Sequence, residues 1–205
     1  MNKPTPVYLG YRLIIRGEKI MEKKIKTKEI VVVAMVAAVI GVIFTLLDYA
    51  YMPMSAVLGQ VFMEITFGVY MLSPALPMYL VRKPGVAIFG SLVAAGVNLL
   101  LGSPYGIQLI LAGVLEGIGI EIGYLLGGKY EGNMMNMVIG GILGGLLVFG
   151  RDVIFFGTLG NAFPVVAGIV IVRLLSATVV TIVLVKLITA ALKKTGVLKG
   201  FACVK

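Results

Sequence analysis

Six long apolar stretches, joined by turns of only four to nine residues, leave this chain few folds to choose from. They cover roughly 30–47, 57–81, 86–101, 107–127, 134–156 and 164–191 of 205 residues, 60% of which are hydrophobic and 13% charged. Spanning a bilayer as helix takes about 20 apolar residues, so a chain of this length holds at most six or seven spans and no separate soluble domain. Runs this long and this free of alternation do not suit barrel strands. The expected class is therefore an all-α membrane protein of six transmembrane helices. The turns DYAYMPMSA, RKPG, SPYG, KYEGN and GTLGNAF are rich in Gly, Pro and Asn, and connections so short make successive spans antiparallel.

Lys and Arg set the orientation. The N-terminal segment carries Lys3, Arg12, Arg16, Lys19, Lys23, Lys24, Lys26 and Lys28. The second turn adds Arg82 and Lys83, the fourth Lys129, and the tail Lys193, Lys194, Lys199 and Lys205, whereas the first, third and fifth turns have none. By the positive-inside rule both termini are cytoplasmic. The net charge of +9 is thus a topology signal and not a sign of nucleic-acid binding. Residues 1–28 form a basic cytoplasmic segment, 29–192 the transmembrane domain and 193–205 a cytoplasmic tail. Met21 opens MEKKIKTKEIVVVAM, which reads as a start just before the first span, with residues 1–20 an added extension or tail.

Several chemistries are excluded. The chain has no histidine and a single cysteine, Cys203, which removes an intrachain disulfide, the usual zinc ligands and every Ser-His or Cys-His arrangement. Gly127-Gly128-Lys129-Tyr130 lacks the spacing and hydroxyl of a nucleotide-binding loop. No catalytic pairing or cofactor motif is present, so an enzyme is not expected, nor a cofactor, and active transport would draw on ions or on other subunits.

Against this apolar background stand Glu64, Glu116, Glu121, Asp152, Arg151 and Arg173. A charge at the centre of a bilayer costs at least ~2.5–3.5 kcal/mol, so such residues mark sites or pathways. At about 1.5 Å per residue, Glu64 lies ~10 Å below the outer end of its span, Glu116 ~13 Å and Glu121 ~21 Å. Gln60, Asn98 and Gln108 lie near the outer surface too. Polar groups gather in the outer half, which points to a cavity open to the outside and not to a channel. Asp152 and Arg173 sit at similar depth on adjacent spans, as a structural ion pair would, and Arg151 can snorkel outward. Glu64 has Gln60 one turn above it and is the leading ligand candidate. Glu116 and Glu121 are ~140° apart around the helix and do not share one narrow cavity. Four acids against two arginines leave surplus negative charge, which favours a cationic or amino-substituted heteroaromatic ligand. Tyr49, Tyr51, Tyr70, Tyr105 and Phe62 offer aromatic walls.

Small residues four apart recur as Gly113/Gly117, Gly119/Gly123/Gly127 and Gly140/Gly144, the spacing of close helix packing. In the first span Ala34 and Ala38 form a small patch, either for internal packing or for docking another membrane subunit. Pro74 and Pro77 predict a kink in the second span.

Six spans with both ends inside, Ala34-x-x-x-Ala38, an outward polar cavity and no nucleotide site together resemble the substrate-binding S component of energy-coupling factor (ECF) transporters. The similarity is to the YkoE family, in its thiamine-related branch. It runs through Lys28-Glu29-Ile30-Val31-Val32, Arg82-Lys83-Pro84-Gly85, Gly102-Ser103-Pro104-Tyr105-Gly106, Arg173-Leu174-Leu175-Ser176 and Thr195-Gly196-Val197-Leu198. The resemblance implies a subunit that imports thiamine or its hydroxymethylpyrimidine precursor across the plasma membrane of a prokaryote. It implies as partners a membrane T component, contacted through Ala34 and Ala38, and two ATPase domains, with the whole small protein reorienting to release its substrate. Glu64, Glu121, Asp152 and Arg173 fall on family-like positions and Glu116 less so, whereas depth favours Glu116. The candidate binding residues are therefore Glu64, Glu116, Glu121, Asn98, Tyr105 and Gln60. An S component for another vitamin is the main alternative. A stand-alone secondary transporter is the next, although neither inverted repeats nor polar groups through the full depth are visible.

Overall fold

The computed structural model describes residues 25–127 and 130–204, and among these there is no β-strand. Six apolar helical segments follow one another: α1 Thr27–Leu58, α2 Gln60–Val81, α3 Val86–Leu100, α4 Gln108–Leu126, α5 Met134–Phe156 and α6 Phe163–Lys194. All but α3 are long and apolar enough to cross a membrane. At 15 residues α3 reaches only about 22 Å, less than the ~30 Å hydrocarbon core. The expected start at Met21 and the charges of Lys129 and Lys205 lie outside the described residues.

The first helix departs most from the sequence expectation. It does not stop at residue 47 but continues to Leu58, so that DYAYMPMSA is helical despite Pro53. A proline inside a helix removes one donor and costs a few kcal/mol, which neighbouring packing can offset. The extension places Asp48 inside the bundle, 1% exposed, and not in a solvent-facing turn.

Irregular backbone occurs in α2 and α6, where the two helices face each other. In α2 a tight 3-10 turn covers Glu64–Thr66, and the helix is interrupted again at Met71 before resuming as Leu72–Val81. The break therefore precedes Pro74, and Pro77 sits within regular helix. The Ser73 hydroxyl donates to the Tyr70 carbonyl at 3.1 Å, the oxygen that Pro74 has no N–H to reach. In α6 a π-helical segment spans Ser176–Val180. The Ser176 hydroxyl donates to the Ile65 carbonyl and accepts from the Gly68 N–H at 2.8 Å, while Thr181 Oγ1 donates to the Gly68 carbonyl at 2.9 Å. Each departure from α-helix is thus satisfied by the other, as an apolar surrounding requires. A side chain at Gly68 would collide with the Ser176 carbonyl.

The glycine spacings pack α4 on two sides. Gly119 meets the Gly144 backbone of α5 and Gly123 meets that of Gly140, so close that a methyl group on either would strike a backbone nitrogen. Gly113 and Gly117 lie instead against Ser91 and Ile88 of α3. Small residues let the backbones approach where lipid supplies no hydrophobic drive. At the other end, Lys83 of the α2–α3 turn pairs with Glu29 at 2.7 Å. The tail folds back with Leu198 and Phe201 buried, and the Lys28 ammonium donates to the Lys199 carbonyl at 3.1 Å.

Candidate functional site

The packing of α1, α2, α4, α5 and α6 leaves a cavity of about 370 Å³, within the usual range for small-molecule sites. Its walls carry four carboxylates, Asp48, Glu64, Glu116 and Asp152, and two guanidinium groups, Arg151 and Arg173. Three of these acids have partners that account for their burial.

A chain of ion pairs runs across one wall. Arg173 of α6 donates from Nε and Nη2 to both carboxylate oxygens of Glu64 at 2.7 and 2.8 Å, and its Nη1 faces Asp152 Oδ2 at 2.7 Å. Arg151 donates from Nε to the other Asp152 oxygen at 2.9 Å, binds it again through Nη2, and turns Nη1 to the Gln108 carbonyl at 3.3 Å. The planar, two-pronged geometry of Arg suits such pairing. The Arg173 guanidinium stands 5.0 and 5.9 Å from the ring centroids of Phe67 and Phe149, and that of Arg151 stands 5.4 Å from the centroid of Phe156. The Asp152–Arg173 pair expected from depth is present. Arg151 is not a free rim charge, and Glu64 is gripped by Arg173.

Asp48 organises the opposite wall. Its carboxylate accepts from Tyr70 hydroxyl at 2.6 Å, Asn98 Nδ2 at 2.8 Å and Ser103 hydroxyl at 2.6 Å. Thr45 Oγ1 donates to Asn98 Oδ1 at 2.8 Å and fixes the amide. One aspartate therefore ties α1 to α2, α3 and the α3–α4 turn. Asn98 does not line the large cavity; it serves this hub and borders a satellite space of about 30 Å³ that it shares with Glu116.

Glu116 differs from the other three. It is 5% exposed and has no hydrogen bond or ion pair with any described residue, although it lines both the large cavity and the satellite. A buried carboxylate is expected to have a partner, so one without any points into the space for a ligand. Glu121 lies outside the cavity: its carboxylate accepts from the Ala87 N–H at 3.0 Å, at the start of α3, and from Tyr130 hydroxyl at 3.1 Å. Of the other candidates, Gln60 and Tyr105 line the cavity, and Ala34 and Ala38 lie half-buried on α1. Among the aromatic residues, Tyr51, Tyr70 and Tyr105 face the cavity, with Tyr51 and Tyr105 edge to face at 6.3 Å. Tyr49 and Phe62 are 58% and 53% exposed. Burial first, and then the Asp48 carboxylate, raise the pKa of Tyr105, which keeps its hydroxyl a proton donor.

Residues 28–147 match the family described as the permease component of the ABC-type cobalt transport system. The chain is 27% identical over 180 residues to YkoE of Bacillus subtilis (strain 168), named as an HMP/thiamine permease protein, with 88% of this chain and 90% of that protein covered. A crystal structure of an S component of an ECF transporter superposes with a TM-score of 0.83 at 26% identity, covering 87% of this chain and 91% of the other.

Proposed function

Because the chain belongs to the family of ABC-type cobalt transport permease components and has the build of an ECF S component, we propose that it captures thiamine or its hydroxymethylpyrimidine precursor for import. It is a multi-pass membrane transport subunit and not an enzyme. The observation that carries the substrate reading is Glu116, a buried carboxylate without a protein partner on a wall with surplus negative charge. The four carboxylates of the cavity outnumber its two guanidinium groups by two. An aminopyrimidine presents an exocyclic amine beside a ring nitrogen, which one carboxyl group can engage at two points. The thiazolium of thiamine adds a positive charge that the carboxylates and the Tyr51 and Tyr105 rings favour. In this reading Glu116 is the anchor, and Glu64 acts through Arg173 by holding the facing wall in place.

The family's name refers to cobalt, but the donor set here does not suit that ion as cargo. Divalent first-row metals of this kind favour imidazole or thiolate alongside oxygen ligands, and the chain has no histidine and one cysteine. Among the described residues, no three of His, Cys, Asp or Glu gather so that they could hold a metal ion.

The cavity opens to the outside in the capturing state and both termini are cytoplasmic, a reading supported by the run of Lys and Arg at one end of the spans. A prokaryotic plasma membrane, a membrane T component and two ATPase domains complete the assembly. The half-buried Ala34 and Ala38, beside the exposed Met35 and Val39, form the T-component contact.

Titration of the purified protein with a panel of vitamins, the free pyrimidine and Co²⁺, followed by tyrosine fluorescence, tests the substrate. Saturable submicromolar binding of thiamine or the pyrimidine is expected. Tight binding of a different vitamin or of Co²⁺, with neither of these ligands bound, would sink the proposal.

A further inference from the structure

We propose that the small satellite beside Glu116 is a subsite for one methyl-sized apolar substituent of the ligand, carried next to the group that Glu116 grips. The inference deepens the thiamine reading above and rests on it. The satellite measures about 30 Å³ and is walled by Phe44 of α1, Ala95 of α3, and Leu109, Ala112 and Gly113 of α4. Phe44 and Tyr70, whose ring centroids are 4.9 Å apart, both border it. Here α3 and α4 run close together: a methyl added at Gly113 would stand 3.2 Å from Ala95 Cβ.

Polar residues border the satellite too, but their polar atoms are committed elsewhere. Ser73 Oγ donates to the Tyr70 carbonyl and Ser91 Oγ to the Ile88 carbonyl, each at 3.1 Å. Asn98 donates from Nδ2 to Asp48 and accepts from Thr45 on Oδ1, and the Tyr70 hydroxyl donates to Asp48. Ser73, Ser91 and Asn98 are at most 1% exposed, so they offer this space almost no surface. Glu116 is left as the bordering polar group without a partner among the described residues. A buried water needs about two to four polar partners, which this wall does not supply, whereas a methyl group of similar bulk needs none. Glu116, Tyr70, Leu109 and Ala112 border the large cavity as well, so the two spaces adjoin. When one carboxyl group holds the amine and the neighbouring ring nitrogen of an aminopyrimidine, the substituent on the far side of that nitrogen lies beside the same carboxyl. In thiamine and in its pyrimidine precursor this substituent is a methyl group, and seating it in the satellite removes apolar surface from water.

The experiment is calorimetric titration of the full-chain protein with thiamine and two analogues, which carry hydrogen or ethyl in place of the pyrimidine methyl group. We expect each analogue to bind at least ~10-fold more weakly than thiamine, as for one methylene missing from or added to an apolar pocket. Affinities within about threefold of one another, or tighter binding of the ethyl analogue, overturn the proposal while leaving thiamine as the substrate. The methyl group also makes the ring nitrogen more basic, and Ala95→Val separates the two causes. Its larger side chain fills the satellite, so the hydrogen analogue becomes the tighter ligand. A preference for thiamine that survives in Ala95→Val is electronic and overturns the proposal. Should that variant not fold, Ala95→Gly enlarges the same space and must shift the preference toward the ethyl analogue; no shift overturns the proposal. Absence of thiamine binding to the parent protein overturns the substrate reading, and this proposal with it.

Discussion

Glu64 and Arg173, 109 residues apart in sequence, meet through two parallel hydrogen bonds of 2.7 and 2.8 Å in the interior of the bundle. The pair sits where both helices leave ideal geometry: Glu64 opens the 3-10 turn of α2, and Arg173 precedes the π segment of α6. Ser176 and Thr181, bonded to the α2 backbone around Gly68, hold the two irregular segments in register. The ion pair and the backbone distortions therefore act as one joint between α2 and α6.

Removing one partner of this joint should be costly, because it strands a charge that is more than nine-tenths buried. Arg173→Leu leaves Glu64 without a partner and Asp152 with only Arg151, and a loss of about 3–5 kcal/mol is expected. Thermal unfolding in detergent measures it. The double substitution Glu64→Leu with Arg173→Leu should recover part of the loss, and no recovery would show that the pair is not the source.

Glu116→Gln should behave in the opposite way. With no protein partner to lose, its melting temperature should stay within a few degrees of the parent or rise. Thiamine affinity should fall by about 10- to 100-fold, the worth of a hydrogen bond to a charged group. Unchanged affinity in the calorimeter would remove Glu116 from the site.

The contrast with Glu121 shows what could be read in the sequence and what could not. Run length was enough for the helices apart from the end of α1, glycine spacing for close packing without saying that α4 meets α5, and the depth of each charge for the Asp152–Arg173 pair. Position around α4 separated Glu116 from Glu121 but could not choose between them. That choice depends on α3, whose first N–H groups meet Glu121 and give it a capping role. Asp48 was missed because its neighbours, two tyrosines and a proline within five residues, have turn composition. Its three donors come from Tyr70, Asn98 and Ser103, and no local pattern reports partners so distant. The break at Met71 and the π segment were equally hidden, since each is satisfied by the facing helix and not by its own residues.

Glu121→Ala provides the matching test. It removes the acceptor at the start of α3 and a partner of Tyr130, so stability should fall by about 0.5–2 kcal/mol, as for other lost N-terminal caps. Ligand affinity should change less than threefold. A loss of affinity comparable with that of Glu116→Gln would place Glu121 in the binding machinery after all.

The α4–α5 seam makes a steric prediction. Gly119→Val puts branched carbons where the Gly144 backbone already lies, and Gly123→Val does the same against Gly140. Neither collision can be relieved by a side-chain rotation, because the atoms struck are main chain. Both variants should yield little folded protein. Gly150→Ala on the partner helix α5, where an added methyl meets nothing within 4 Å, should express normally. Equal yields of all three by size-exclusion chromatography would refute the close approach.

Asp48→Asn is the most informative change at the hub. Asp48 uses one oxygen for Tyr70 and the other for both Asn98 and Ser103. An amide keeps one acceptor oxygen and turns its NH2 toward the other side, so at least one of the three bonds must break or reverse its direction. If the amide oxygen stays with Tyr70, the α3–α4 turn is the part released, because Ser103 loses its acceptor. Tyr105 follows two residues later on the cavity wall. Hydrogen exchange over 101–107 should therefore quicken, and thiamine affinity should fall through a faster off-rate with little change in on-rate. Unaltered exchange in that turn, with affinity lost, would show that Asp48 acts on the ligand by its charge and not by holding the turn.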